Sequence, residues 1–214
     1  MEIPKTLQRK LDEGRQYRRV AQIEVRAAGD EGMVVEGYAT TFNEPYELFR
    51  EGGYIFLEQV DEHAFDEADM SDVIMQYDHE GRVFARQSNG TLQLTPDEHG
   101  LKIRADLSGT EIGRQLYEEI RGGYTDKMSF GFTVDEDARL VTEDHEAGTV
   151  TILRTITRIR KLYDVSAVSI PANNATEISV RSWSDGVIAE LTEERRKREE
   201  RERLKKKIQI MLDL

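Results

Sequence analysis

Hydrolysis through a serine nucleophile needs a hydroxyl, an imidazole within reach of it, and a third group that orients the imidazole. Candidates for these roles are few. The four histidines are His63, His79, His99 and His145, and each has acidic neighbours in sequence. His63 falls in an acidic helical pattern, His99 in the Pro96-to-Gly100 turn, and His145 at the hairpin tip Glu143-Asp144-His145-Glu146-Ala147-Gly148, so all three read as surface residues. His79 differs because it directly follows the apolar run Val73-Ile74-Met75-Gln76-Tyr77, where a scaffold would hold its ring. It is either a base or an ordinary loop histidine. Ser129, inside Met128-Ser129-Phe130-Gly131-Phe132, is either a nucleophile or a strand serine bonded to the backbone. Asp164 interrupts Leu162-Tyr163-Asp164-Val165-Ser166-Ala167-Val168, and a carboxylate there either faces water or is buried with a partner such as an imidazole. Residue type and spacing leave both readings of each residue open.

Other chemistries find less support. The absence of cysteine excludes disulfides, thiolate catalysis and cysteine-rich zinc sites. No His-Glu-x-x-His spacing occurs, so neither a metal nor another cofactor is expected. An esterase is disfavoured because there is no Gly-x-Ser-x-Gly elbow.

The elements that would position these residues are mostly strands. Alternation over residues 21–26 and 33–42 predicts an opening hairpin across Gly29-Asp30-Glu31-Gly32, followed by a long loop over 43–53. Residues 54–60 and 73–77 read as strands, and 61–68 as a short helix with acids in its first turn. Asn89-Gly90, between 83–87 and 91–95, gives the clearest hairpin signal, because Asn-Gly accepts positive φ. Strands are also predicted over 101–107, 127–135, 149–157 and 162–170. One internal helix is well marked: Thr110 caps it, Ile112, Leu116 and Ile120 share a face, and Gly122-Gly123 ends it. The fold class expected is α+β, a mainly antiparallel β-barrel with packed helices, plus a charged C-terminal helix.

Net charge is −12 over 214 residues, but residues 1–20 carry +3 and residues 190–214 carry +2, so residues 21–189 carry −17. Such an acidic body repels phosphate backbones, and nucleic acid is not an expected partner. No apolar run reaches the ~20 residues that span a bilayer, and the N-terminus lacks a secretory h-region, so no membrane partner is expected and the chain reads as cytoplasmic. The expected organisation is a basic segment over 1–20, a main folded domain over 21–183 and a charged helical tail over 184–214. That tail reads as a solvated helix, with a coiled-coil contact as the alternative.

The segments around His79, Ser129 and Asp164, the last running on through Ser169-Ile170-Pro171-Ala172-Asn173, resemble the HK97-type prohead serine proteases of tailed phages. Gly37-Tyr38-Ala39, residues 60–65, Gly90-Thr91-Leu92 and Gly100-Leu101 are similar in order and spacing, and the likeness covers residues 21–181. It implies a herpesvirus-assemblin-like fold and cleavage of scaffold or capsid precursors, and of the protease itself, in the procapsid interior within the host cytoplasm. Partners implied are the major capsid protein or its scaffold segment, with a homo-oligomer as a further possibility. By the resemblance His79 is the base, Ser129 the nucleophile and Asp164 the orienting group. Family members usually carry Glu at the Asp164 position and the herpesvirus relatives a second His, which makes His145 the competing third member. The oxyanion donors are expected around Ala172 and Asn173, and the tail is a delivery or removable segment. A non-catalytic capsid scaffolding or interaction module is the rival reading.

Overall fold

Period-two alternation builds most of the chain into strands, as a computed structural model that describes residues 13–24, 26–27, 32–168 and 174–212 makes plain. Two compact units are present, Met1–Glu177 and Ile178–Leu214.

In the first unit, one sheet has seven strands: β1 (Gln16–Glu24), β4 (Tyr46–Glu51), β5 (Tyr54–Val60), β6 (Ile74–Tyr77), β7 (Glu80–Arg86), β10 (Lys127–Asp144) and β11 (Thr149–Val168). Its order is β1-β10-β11-β5-β4, with β6 also on β11 and β7 on β6. A second sheet has four: β2 (Arg26–Ala27), β3 (Val34–Thr41), β9 (Gly100–Asp106) and β8 (Leu92–Pro96), in the order β2-β3-β9-β8. Helix α1 (Glu111–Arg121) follows β9. The α+β class and the predominance of antiparallel pairing agree with expectation. A single closed barrel is not found among the described residues, whose strands divide between two sheets.

The inner faces meet in one apolar core, where Val35, Ile103 and Ala105 of the smaller sheet join Met128, Phe130 and Val165 of the larger, all fully buried. Helix α1 covers part of it with Leu116, Tyr117 and Ile120, a one-sided stripe at helical spacing. Its start is fixed by Thr110, whose hydroxyl accepts from the Gly113 N–H at 3.0 Å, and its end by Gly122 and the left-handed Gly123.

Several expected elements differ. The predicted loop over 43–53 contains β4, which pairs with β5 through Gly52 and Gly53, both at positive φ as a tight two-residue hairpin demands. Residues 61–68 form successive turns instead of a helix: Ala64, Asp66 and Ala68 each donate to a carbonyl three residues back. The Asn89-Gly90 turn forms, with Gly90 left-handed, yet β7 and β8 do not pair with each other and belong to different sheets. The Thr91 side chain accepts from the Arg86 N–H at 2.8 Å, taking the place of a cross-strand bond. Finally, the two strands expected over 149–157 and 162–170 are one 20-residue strand, β11. It runs parallel to β5 over 150–156 and parallel to β6 over 164–167.

The second unit is mainly the helix α2 (Asn174–Leu212), ten residues longer at its start than the expected tail. Glu193 bridges Arg196 at 2.8 Å and Lys197 at 3.6 Å, the i,i+3 and i,i+4 pairing expected of a charged helix in water.

Candidate active site

Three adjacent strands, or the turn between them, supply the three predicted residues. Ser129 lies on β10 opposite Ser166 of β11, and Asp164 of β11 lies opposite Gly131 of β10. On the other side of β11, β6 pairs in parallel and ends at Tyr77. Tyr77 then pairs with Glu80 of β7, so Asp78 and His79 are the two central residues of a hairpin turn. Their φ angles are 48° and 61°, the left-handed values that a tight hairpin requires and that glycine or asparagine usually supplies. A non-glycine residue held there costs roughly 1–3 kcal/mol, so the surrounding bonds must over-determine it. They do: Asp78 N–H donates to the Ala167 carbonyl at 3.0 Å, and His79 N–H donates to the Ser166 hydroxyl at 3.2 Å.

With its backbone so fixed, the His79 ring bridges the other two residues. Nδ1 bonds Asp164 Oδ1, and Nε2 lies 2.5 Å from Ser129 Oγ. Ser166 Oγ also donates to Asp164 Oδ1, at 3.1 Å. One hydroxyl therefore ties the backbone of the imidazole residue to the carboxylate that orients the ring. All three groups are nearly solvent-free: His79 and Ser129 are 3% exposed and Asp164 2%. The Tyr17 ring meets the imidazole edge-on, with centroids 4.5 Å apart. Burial first, and then the Asp164 charge, push the Tyr17 phenol above its ordinary range, so it faces His79 uncharged. Ser129 Oγ has a second acceptor, the Arg18 carbonyl oxygen at 2.9 Å.

Gly131 makes room for the carboxylate. A Cβ at this position would lie 2.4 Å from Asp164 Oδ2 and 2.8 Å from Tyr17 Cε1. Only the missing side chain lets Asp164 lie across β10 toward His79. A cavity of about 500 Å³ opens beside Asp164 and His79, lined also by Arg15, Gln76, Glu80 and Tyr163.

The remaining histidines lie elsewhere. His63 is exposed and bonds Asp66, exposed His99 packs against the Tyr38 ring, and His145 is 85% exposed at the β10–β11 tip beside Glu143. Asp164, and not His145, is the third group against His79. The segment around Ala172 and Asn173, expected to hold oxyanion donors, lies outside the described residues. Among the described residues no three His, Cys, Asp or Glu side chains converge as metal ligands, and no helix is long and apolar enough to cross a membrane.

A carboxylate–imidazole–hydroxyl relay buried in a strand-rich core is suited to acyl transfer. Residues 21–187 match the family model of the caudovirus prohead serine protease. The chain belongs to this family. It is thus a serine peptidase of phage procapsid maturation. No curated protein and no solved structure matches it. Sequence reading missed Ser166, Gly131 and Tyr17 in this protease. The first two sit two residues from Asp164 and Ser129, on the same strand faces, and that spacing was the available signal.

Proposed function

We propose that Ser129, His79 and Asp164 form the catalytic triad of this protease, and the observation that carries the reading is the His79 ring bonded to both partners at once. His79 Nε2 takes the hydroxyl proton as Ser129 Oγ bonds to the scissile carbonyl carbon. The same nitrogen then hands that proton to the departing amine as the C–N bond breaks. A water repeats the sequence: it gives a proton to Nε2 as its oxygen bonds to the acyl carbon, the bond from that carbon to Ser129 Oγ then breaks, and the proton passes from Nε2 to the departing Oγ. Asp164 accepts from Nδ1–H, which fixes the tautomer that leaves Nε2 free to act as base. The shorter side chain of Asp, where family members usually carry Glu, reaches the ring because Gly131 lets it approach.

The substrates in this reading are the scaffold segment or the major capsid precursor, and the protease itself, inside the assembling procapsid in the host cytoplasm. Residues 21–183 act as the protease domain, in an assemblin-like arrangement, and the charged helix beyond serves for delivery or removal. Replacing Ser129 by Ala tests this. Cleavage of the cognate precursor should be lost, with the circular dichroism spectrum and thermal unfolding unchanged. Undiminished cleavage by the variant overturns the assignment.

A further inference from the structure

Arg18 is the unusual residue of β1. It is 1% exposed, and its guanidinium grips Glu58, 0% exposed, at 2.5 Å and 3.1 Å through two nitrogens. Glu58 is already served by Arg154 Nη1 at 2.9 Å and the Tyr46 hydroxyl at 2.6 Å, and Arg154 also holds Asp137 at 2.6 Å. With Arg18 in place these four charges cancel. Without it, one net negative charge remains over buried Glu58, buried Arg154 and exposed Asp137, and the Glu58 carboxylate loses its two-nitrogen partner, a place that a cationic side chain fits. Burial works against the Glu58 charge, but Arg18 first, with Arg154 and the Tyr46 hydroxyl, together hold the carboxyl below its ordinary range.

The main chain of the same residue meets the nucleophile. Residues 16–20 run antiparallel to β10, Arg19 lies opposite Ser129, and the Arg18 carbonyl oxygen accepts from Ser129 Oγ at 2.9 Å. A hydroxyl has one proton, so the Arg18 carbonyl competes with His79 Nε2 for it. Tyr17 covers the imidazole at the same time. No incoming peptide reaches a triad so buried while this strand stays in place. Because β1 is the edge strand of its sheet, another extended segment can take its position by adding to the edge of β10.

A carbonyl at the nucleophile and a side chain held by buried Glu58 put Arg18 where the residue before a scissile bond would lie, with its carbonyl turned so that the oxygen, and not the carbon, meets Ser129 Oγ. We propose that residues 16–20 occupy this chain's own substrate groove, and that Glu58 is the specificity-determining residue that selects a basic side chain before the scissile bond. Arginine is preferred to lysine, because the socket bonds a planar two-nitrogen edge. The inference rests on the Ser129–His79–Asp164 reading above.

The test uses the full chain as wild type, Arg18→Ala and Glu58→Gln. Each is reacted with a fluorophosphonate to give the labelling rate of Ser129, and each is incubated with unfolded casein to map new termini by mass spectrometry. Emptying the socket in Arg18→Ala should speed labelling at least tenfold, since removing one partner of a buried charge pair shifts an equilibrium by more than that factor. Wild type should cut after Arg first and Lys second, and Glu58→Gln should lose that preference while Ser129 is still labelled. If Glu58→Gln does not fold, or casein is not cut, the Arg18→Ala labelling rate decides. Labelling of a folded Arg18→Ala no faster than wild type, or termini with no basic preference, overturns the inference and leaves the triad standing. Cleavage with no labelling of Ser129 in any folded variant removes the triad and this inference together.

Discussion

Replacing Gly131 by alanine should cripple the protease without touching any of its three reactive groups. The added Cβ would sit 2.4 Å from Asp164 Oδ2, whereas ordinary contact begins near 3.4 Å. Retreat along β10 is not open to it, since Tyr17 Cε1 is 2.8 Å away on the same face. The carboxylate must therefore withdraw by about 1 Å, and misplacement of that size costs on the order of 10²-fold in rate. An upper bound is the ~10⁴-fold loss that follows when an imidazole loses its orienting carboxylate altogether. The deficit should appear in kcat, because the carboxylate that the added Cβ displaces orients the imidazole during the chemical step. Overpacking of this kind also costs about 1–3 kcal/mol, so the variant folds with a lowered melting temperature. Steady-state cleavage of the precursor, with thermal unfolding alongside, supplies both readings. A second arm uses Asp164→Asn: with the carboxylate already lost, Gly131→Ala should add almost nothing. Wild-type kcat in Gly131→Ala, or full additivity with Asp164→Asn, would refute the steric account of how Asp164 is placed.

Two further outcomes are expected. Ser166→Ala removes the acceptor of the His79 N–H and one donor to Asp164, so kcat should fall roughly tenfold, in line with a lost buried hydrogen bond, and the melting temperature should drop; unchanged kinetics would show that the turn holds His79 unaided. Glu58 is held below the ordinary carboxylate range, so its charged form stabilises the fold fully above the unfolded-state pKa. That contribution disappears as pH falls through the lower folded-state value. Urea midpoints should decline in acid for wild type, and less steeply for Glu58→Gln; parallel declines would remove Glu58 from the acid response.

Local signals were legible wherever the deciding contacts lie within a few residues. Thr110 and Gly122-Gly123 bound α1 as expected, and Gly90 turns the chain with positive φ. Where the chain goes after a turn was not legible. Ala85 and Leu92 flank the Asn89-Gly90 turn and both are buried, but each lies in a different sheet, so burial and not the turn chose the pairing. The hairpin that matters for the site, across Asp78 and His79, lacks the glycine that usually advertises it. Its strain is tolerated because β11, nearly 90 residues further along the chain, accepts the bonds from Asp78 N–H and His79 N–H that hold it. Register between β10 and β11, shifted by several bulges along the pair, likewise set Gly131 against Asp164, and spacing along either strand alone does not give that pairing. Ser129, His79 and Asp164 were named through motif order, since residue type and spacing alone left each of them ambiguous.

The most direct test of the triad is to treat the protease, while it is cleaving its precursor, with a fluorophosphonate and to locate the adduct by peptide mass mapping. One adduct on Ser129, appearing in step with loss of cleavage and absent from His79→Ala, is the predicted result. Cleavage that continues while Ser129 is fully modified, or inactivation with the adduct on another residue, would contradict it.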